Sequence, residues 1–257
     1  MKAILTYHSI DESRSVISVS PTAFRRHVLQ FLAAGIPIVP VEELLSFKGN
    51  DAVALTFDDG YLSVEREAMP LLMEHGLPAT VFVVTSCLGG TNTWAAGGGD
   101  GVPRLPLVGW EALGRLSEHG VTVASHSRTH PYLPSLTQAR MDEEIGGAAR
   151  DLSDRLGITP HGFAYPYGAV CPRARAAAGR AHDWACTTVF GEFDGDARLD
   201  LPRIDMWYFE REGLLERWGT PWFRRWVRRR RRLRQVRSAA RRLLRATSSD
   251  RSSKPQE

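Results

Sequence analysis

The sequence predicts an α/β fold in which a parallel sheet is covered by helices, either closed as a barrel or open and doubly wound. Three observations carry this expectation. β-rich segments alternate with helical patterns through most of the chain, those segments are apolar nearly throughout, and polar residues capable of chemistry follow them directly. In both architectures the C-terminal ends of the strands form the functional face.

The elements follow in order. "AILTY" is a strand that delivers His8. Ser20 and Pro21 then supply an N-cap and a first-turn proline, and Phe24, Val28 and Phe31 recur at helical spacing until Gly35. "VALTF" is a strand ending at Asp58 and Asp59, and an apolar helix after it stops at Gly76. "ATVFVV" precedes a Gly-rich loop over 89–101; a helix from Trp110 to His119 stops at Gly120, and "VTVAS" delivers His126. Ser135 with Gln138 reads as a capping box for a long helix with Met141, Ile145, Ala149, Leu152 and Leu156 on one side and Gly157 at its end. "GFAY", a helix across 172–180, "WACTTV" and "LPRI" complete seven strands.

A chain of 257 residues with 43% hydrophobic content can bury one sizeable core, which predicts one domain over 1–213 and a tail over 214–257. The formal charge of +4 is unevenly spread. Residues 224–245 hold twelve arginines and no acid, whereas residues 1–223 hold 19 Lys+Arg against 27 Asp+Glu, a net of −8. Cys87, Cys171 and Cys186 are odd in number and unpatterned, which argues against a disulfide framework and for a reducing compartment. The opening "MKAILTYHSIDESRS" does not read as a secretory signal, and no run of about 20 apolar residues follows. The expectation is a cytoplasmic protein.

Asp58 and Asp59 repel each other unless a cation lies between them or one stays protonated. In "SHSRTHP", His126 and His130 are four apart and would share one helical face, a spacing suited to a single metal ion. Two imidazoles and one carboxylate make an open site for Zn²⁺ or a similar ion. One aspartate is then a ligand and the other a base; spacing leaves open which.

"TFDDG", "SHSRTH" and "FAYPYG", in that order, resemble the polysaccharide deacetylase (NodB homology) family, carbohydrate esterase family 4, over roughly residues 1–210. The resemblance implies an irregular (β/α)₇ barrel and metal-assisted amide hydrolysis on an N-acetylated amino sugar. It implies Asp58 as general base, Asp59, His126 and His130 as ligands of a divalent metal (Zn, with Co or Ni as alternatives), and Tyr167 as donor of an oxyanion-hole N–H. Pro166 shares the third motif. Two departures stand out. Ala164 occupies the place of an arginine that pairs with the base, leaving Arg203 or Arg173 to supply the cation, and the late leucine-x-histidine motif that provides the acid is missing. The motif order is closest to the poly-N-acetylglucosamine deacetylase branch, in which the acid is a histidine in a "YH" context on the first strand, here His8. Magnitudes rank the parts: lowering the pKa of a bound water from about 15.7 to about 7 is on the order of 11 kcal/mol, whereas a positioned acid or base contributes roughly 3 to 5 kcal/mol. Asn92 and Trp94 in the Gly-rich loop are candidates for a sugar-stacking lid. Asp183 and Trp184 resemble the family's fourth motif, and Trp184 reads equally as core.

The tail places Trp222, Trp226, Leu233, Val236, Ala240 and Leu244 at roughly helical intervals among arginines. A basic amphipathic helix over 222–245 fits contact with an anionic membrane surface, in competition with a solvated helix and, more weakly, nucleic-acid binding. "SSDRSSKPQE" is expected to be disordered. The missing arginine and displaced acid leave a carbohydrate-binding pseudoenzyme as an alternative, and hydrolysis of another C–N bond, such as that of a cyclic imide, remains compatible with the scaffold.

Overall fold

The computed structural model describes residues 1–95, 101–193 and 197–251, with side chains of the last helix described as far as residue 236. Nine strands follow in chain order: β1 (Lys2–Tyr7), β2 (Ser9–Ile10), β3 (Ser18–Val19), β4 (Ala52–Phe57), β5 (Ala79–Val83), β6 (Val121–Ser125), β7 (Gly162–Ala164), β8 (Trp184–Phe190) and β9 (Leu201–Asp205). The seven strands expected from the sequence close into one barrel, β1-β4-β5-β6-β7-β8-β9, with every pairing parallel. β2 and β3 form a separate two-stranded sheet beside its mouth. The helices are α1 (Pro21–Ala33), α2 (Val41–Ser46), α3 (Met69–Glu74), α4 (Trp110–Glu118), α5 (Gln138–Leu156), α6 (Pro172–Ala181) and α7 (Pro221–Arg251).

The apolar strands have two buried faces, which is why they do not alternate with polar residues. Ala3, Leu5 and Tyr7 of β1 and Val53, Leu55 and Phe57 of β4 point outward to the helices, in one cluster with Phe24, Val28 and Phe31 of α1. Ile4, Ala54, Phe82, Ala124, Ala164 and Trp184 point inward. Trp184 fills the barrel, edge-on to Phe82 with ring centroids 5.7 Å apart. Gly162 is what admits it, since a Cβ there would lie 2.3 Å from the indole. Below Trp184, α2 closes the N-terminal end, where Glu42 accepts a hydrogen bond from the Trp184 Nε1–H at 3.1 Å and Leu44 joins the interior cluster. Chemistry is thereby confined to the C-terminal mouth.

Several boundaries differ from expectation. Thr137, not Ser135, caps α5 by accepting from the Arg140 N–H; Ser135 lies in a 3-10 turn, Leu133–Ser135, and donates to the Tyr132 carbonyl. The tail does not begin a separate unit at residue 214, because Leu215, Phe223 and Val227 are buried in the same cluster as α1. Trp226 packs edge-on against Phe190 and Phe209, so it is not on the outer face of α7. The helix continues to Arg251, across the first residues of the stretch expected to be disordered, and residues 252–257 lie outside the described ones. Among the described residues no helix is long and apolar enough to cross a membrane.

Candidate active site

Asp58 directly follows β4, and its N–H extends the ladder by donating to the Tyr7 carbonyl at 2.9 Å. Asp59 and Gly60 then adopt φ of 72° and 73° in succession, a left-handed pair that turns the chain back at the barrel mouth. Glycine is required at 60, where a Cβ would meet Val83 at 3.0 Å; Asp59 takes the same conformation with a side chain, at a cost of about 1 kcal/mol or more.

On the neighbouring strand ends, His126 follows β6 with its N–H donating to Val83 O at 2.9 Å, and His130 comes four residues later. The two are not on a helix. Ser127 (φ 69°) and His130 (φ 59°) are left-handed residues of a tight loop, and the Ser127 Oγ accepts from the His130 N–H at 3.0 Å. α5 holds this loop in place. Buried Glu144 accepts from the N–H groups of Arg128 and Thr129 at 3.1 and 2.9 Å, and Arg128 pairs with Asp151 and Glu143.

Ligand atoms of Asp59, His126 and His130 lie within 4.8 Å of one another, and all three residues are buried. Asp59 Oδ1 is 3.4 Å from His126 Nε2 and 3.5 Å from His130 Nε2, yet it has no hydrogen-bond partner among the described residues. The His126 Nδ1–H donates to the Ala164 carbonyl at 2.7 Å, which fixes the ring so that Nε2 faces the centre. A buried, orphaned carboxylate oxygen facing two imidazole nitrogens is a donor set that a divalent cation satisfies.

Beside this centre, Asp58 is gripped by Arg203 of β9 through two hydrogen bonds of 2.7 Å, Nη1–H to Oδ1 and Nη2–H to Oδ2. The Arg203 Nε–H donates to Thr187 O at 3.0 Å, which aims the fork. His8, after β1, places Nε2 3.8 Å from Asp58 Oδ2 and is partly exposed.

The sequence model for polysaccharide deacetylases matches residues 48–182, more than half of the chain, and that span contains both aspartates and both histidines. The chain belongs to the polysaccharide deacetylase family. Peptidoglycan-N-acetylglucosamine deacetylase PgdA of Listeria monocytogenes is 32% identical over 133 residues, 51% of this chain and 25% of that protein. The chain spans about half or less of the length of the curated relatives it matches. Among solved structures, the deacetylase PplD of Streptococcus pyogenes superposes with a TM-score of 0.68 at 21% identity, covering 79% of this chain and 91% of that one. IcaB from Ammonifex degensii gives 0.68 at 20%, covering 81% and 94%. At these identities the superpositions establish the fold, the (β/α)₇ barrel of the family.

Burial alone would raise the Asp58 pKa, but Arg203 overcomes it and holds the carboxyl below its usual range. Asp59 is likewise lowered against its burial, by the two histidines. Burial pushes His130 down to about 3, so its imidazole is neutral at neutral pH. For His126 burial opposes the proton, and the adjoining Asp59 and Asp58 carboxylates outweigh it and raise the pKa. A proton on His126 Nε2 occupies the place an ion would take.

Of the other residues expected at this site, some converge and some do not. Trp94 stacks on His130 at 4.9 Å between centroids, and Tyr167 meets the same ring edge-on at 4.5 Å. Tyr167 has φ 58° and ψ 8°, inside a 3-10 turn, Pro166–Gly168, that also buries Pro166. Asn92 is not a lid residue. It is buried, its Nδ2 donates to Tyr61 Oη and Pro103 O, and its Oδ1 accepts from the Leu105 N–H, so every polar atom braces the loop. Residues 96–100 of that loop lie outside the described residues. Asp183 is also not at the site. It precedes β8 and pairs with His161 at 2.7 Å on the exposed N-terminal rim, while Trp184 is core. Arg173 is exposed on α6, and the arginine that bonds Asp58 is Arg203. Sequence reasoning missed Tyr61, Glu144 and Asp151. Tyr61 is buried, and besides burial the adjacent Asp59 raises its pKa. Its only signal was its place three residues after Asp58; Glu144 could have been noticed as an acid on the apolar side of α5.

Proposed function

We propose that this chain is a metal-dependent hydrolase that removes the N-acetyl group from an amino sugar in a glycan or glycan precursor. The observation that carries the reading is the meeting of Asp59, His126 and His130 around one point, next to a second carboxylate held charged by Arg203. One oxygen and two imidazole nitrogens suit Zn²⁺, and Co²⁺ or Ni²⁺ would take the same ligands. The peptidoglycan-N-acetylglucosamine and chitin deacetylases among the relatives are named for N-acetylated sugar polymers, which supports an amino-sugar substrate.

When bound, a divalent ion supplies Lewis-acid polarisation of the amide carbonyl and lowers the pKa of water. The chain's own residues do the rest. Asp58 accepts a proton from the attacking water, and its two bonds from Arg203 keep it ionised until then. His8, on the neighbouring strand end, gives a proton to the departing amine. The Tyr167 N–H is the proposed donor to the developing oxyanion. The C–N bond breaks, water contributes OH to the acyl carbon, and acetate and an amine result. Ala164 contributes only its carbonyl, which orients His126, while the cation that pairs with the base arrives from β9.

Acetate release from N-acetylglucosamine oligosaccharides by Zn²⁺- or Co²⁺-loaded protein tests the reading. Metal-dependent acetate that falls about 10²-fold or more in His8→Ala, with metal content unchanged, is the expected result. Glycan binding with no acetate under any metal would replace the enzyme with a binding protein, and cyclic-imide hydrolysis without acetate would redirect the substrate.

A further inference from the structure

α7 has a direction. Gly219, just before it, lies beside Asp51 at the N-terminal end of β4. Moving up the helix, Arg224 pairs with Glu192 at 2.6 Å, Arg230 lies 3.6 Å over the Tyr208 ring, and Arg234 lies 3.7 Å from Asp205, the last residue of β9. The helix therefore climbs the barrel wall and reaches the rim on which His8 and Asp58 stand. It then continues for seventeen residues from Gln235 to Arg251, about 25 Å at 1.5 Å per residue, on the catalytic side.

Its two faces differ in kind. The inner face carries Phe223, Val227 and Trp226 against the barrel, with Arg230 and Arg234 tied down over aromatic rings and acids. The outer face, at helical spacing, carries Trp222, Arg225, Arg229, Arg232, Leu233 and Val236. Trp222, Leu233 and Val236 are 41%, 51% and 67% exposed, and no ion pair among the described residues engages Arg225, Arg229 or Arg232. Apolar side chains interleaved with unpaired arginines match an anionic lipid interface, where headgroup phosphates take the charges and acyl chains take the indole and aliphatic groups. A nucleic-acid surface would use the arginines and leave the apolar groups in water.

We infer that α7 docks the protein on an anionic lipid surface through its outer face, which brings the barrel mouth beside the headgroups, so that the substrate is an N-acetylated glycan carried on that surface. The substrate half rests on the deacetylase reading; the docking half does not. Flotation of the full chain with vesicles separates them. The protein should float with phosphatidylglycerol-phosphatidylcholine vesicles, not with phosphatidylcholine alone, and less as salt rises. The triple variant Arg225→Gln, Arg229→Gln, Arg232→Gln should bind about 100-fold more weakly, about fivefold per charge, while its activity on a soluble N-acetylated oligosaccharide is unchanged. Acetate release from a vesicle-embedded N-acetylglucosaminyl lipid should exceed that from the soluble oligosaccharide at least tenfold, and the variant should lose that advantage. Flotation unaffected by the variant, no flotation, or preference for duplex DNA over vesicles at the same salt would overturn the docking. Equal rates on the two substrates would overturn the surface-carried substrate. Normal flotation with no acetate from either substrate would leave docking intact and remove the deacetylase.

Discussion

The two ends of the barrel use one backbone conformation for opposite purposes. At the N-terminal end, where helices return to strands, left-handed residues are glycines: Gly35, Gly76, Gly120 and Gly157, each with open space where a Cβ would be. At the C-terminal mouth the same conformation is taken by Asp59, Ser127, His130 and Tyr167, which carry side chains. Only one other described non-glycine residue, Arg14, has positive φ. Strain that the fold avoids at one rim is taken up at the other, where Glu144 and Arg128 brace the loop of Ser127 and His130 and the ligand atoms converge.

The largest effect that could break this contrast is at the mouth. Asp59→Ala removes the oxygen between the two imidazoles, and acetate release should fall by on the order of 10³-fold or more, measured as kcat/KM at saturating Zn²⁺. Second, Arg203→Met leaves Asp58 buried and unpaired, which should cost about 3 to 5 kcal/mol in chemical denaturation. Because Arg203 lowers the Asp58 pKa, its loss raises that pKa, so the acid limb of the pH–rate profile should move to higher pH. An unmoved limb would mean that Asp58 is not the base.

Third, His27 and His182 are buried away from the centre. Burial pushes His27 and His182 down to about 4 each. Each is neutral in the fold and gains a proton near pH 6.5 once unfolded, so its stabilising contribution is complete above pH 6.5, declines as pH falls, and is gone by about pH 4. Each accounts for about 3 kcal/mol across that window. His27→Gln should flatten the slope of unfolding free energy against pH in that range; an unchanged slope would contradict it. The smallest effect is at the glycine rim. Gly120→Ala, at φ 83°, should cost about 1 kcal/mol and lower Tm by about 2 to 4 °C with turnover unchanged.

The seven barrel strands were legible because burial on both faces writes itself as continuous apolar runs. The residues at their C-terminal ends were legible as a set, since any residue just after a parallel strand reaches the mouth. The rule also works in reverse: Asp183 precedes its strand and therefore lies on the wrong rim. The loop geometry was not legible. A spacing of four between His126 and His130 suits a helical turn, but the chain builds the same convergence from left-handed residues braced by α5. The partner of Asp58 was legible only as a choice between Arg203 and Arg173, because Arg203 lies 145 residues away and barrel closure is what delivers it. Asn92 read as a candidate lid residue in a Gly-rich loop, yet the loop folds around it. In α7 the arginines masked a core-packed first stretch, so Trp226 read as surface.

Asp59, His126 and His130 should grip a single divalent ion. Calorimetric titration of metal-free protein with Zn²⁺ tests it most directly. One ion per chain, with affinity lowered at least 100-fold in each of Asp59→Ala, His126→Ala and His130→Ala while the variants stay folded, is the expected result. Undiminished Zn²⁺ binding in those variants, or none in the parent chain, would contradict it.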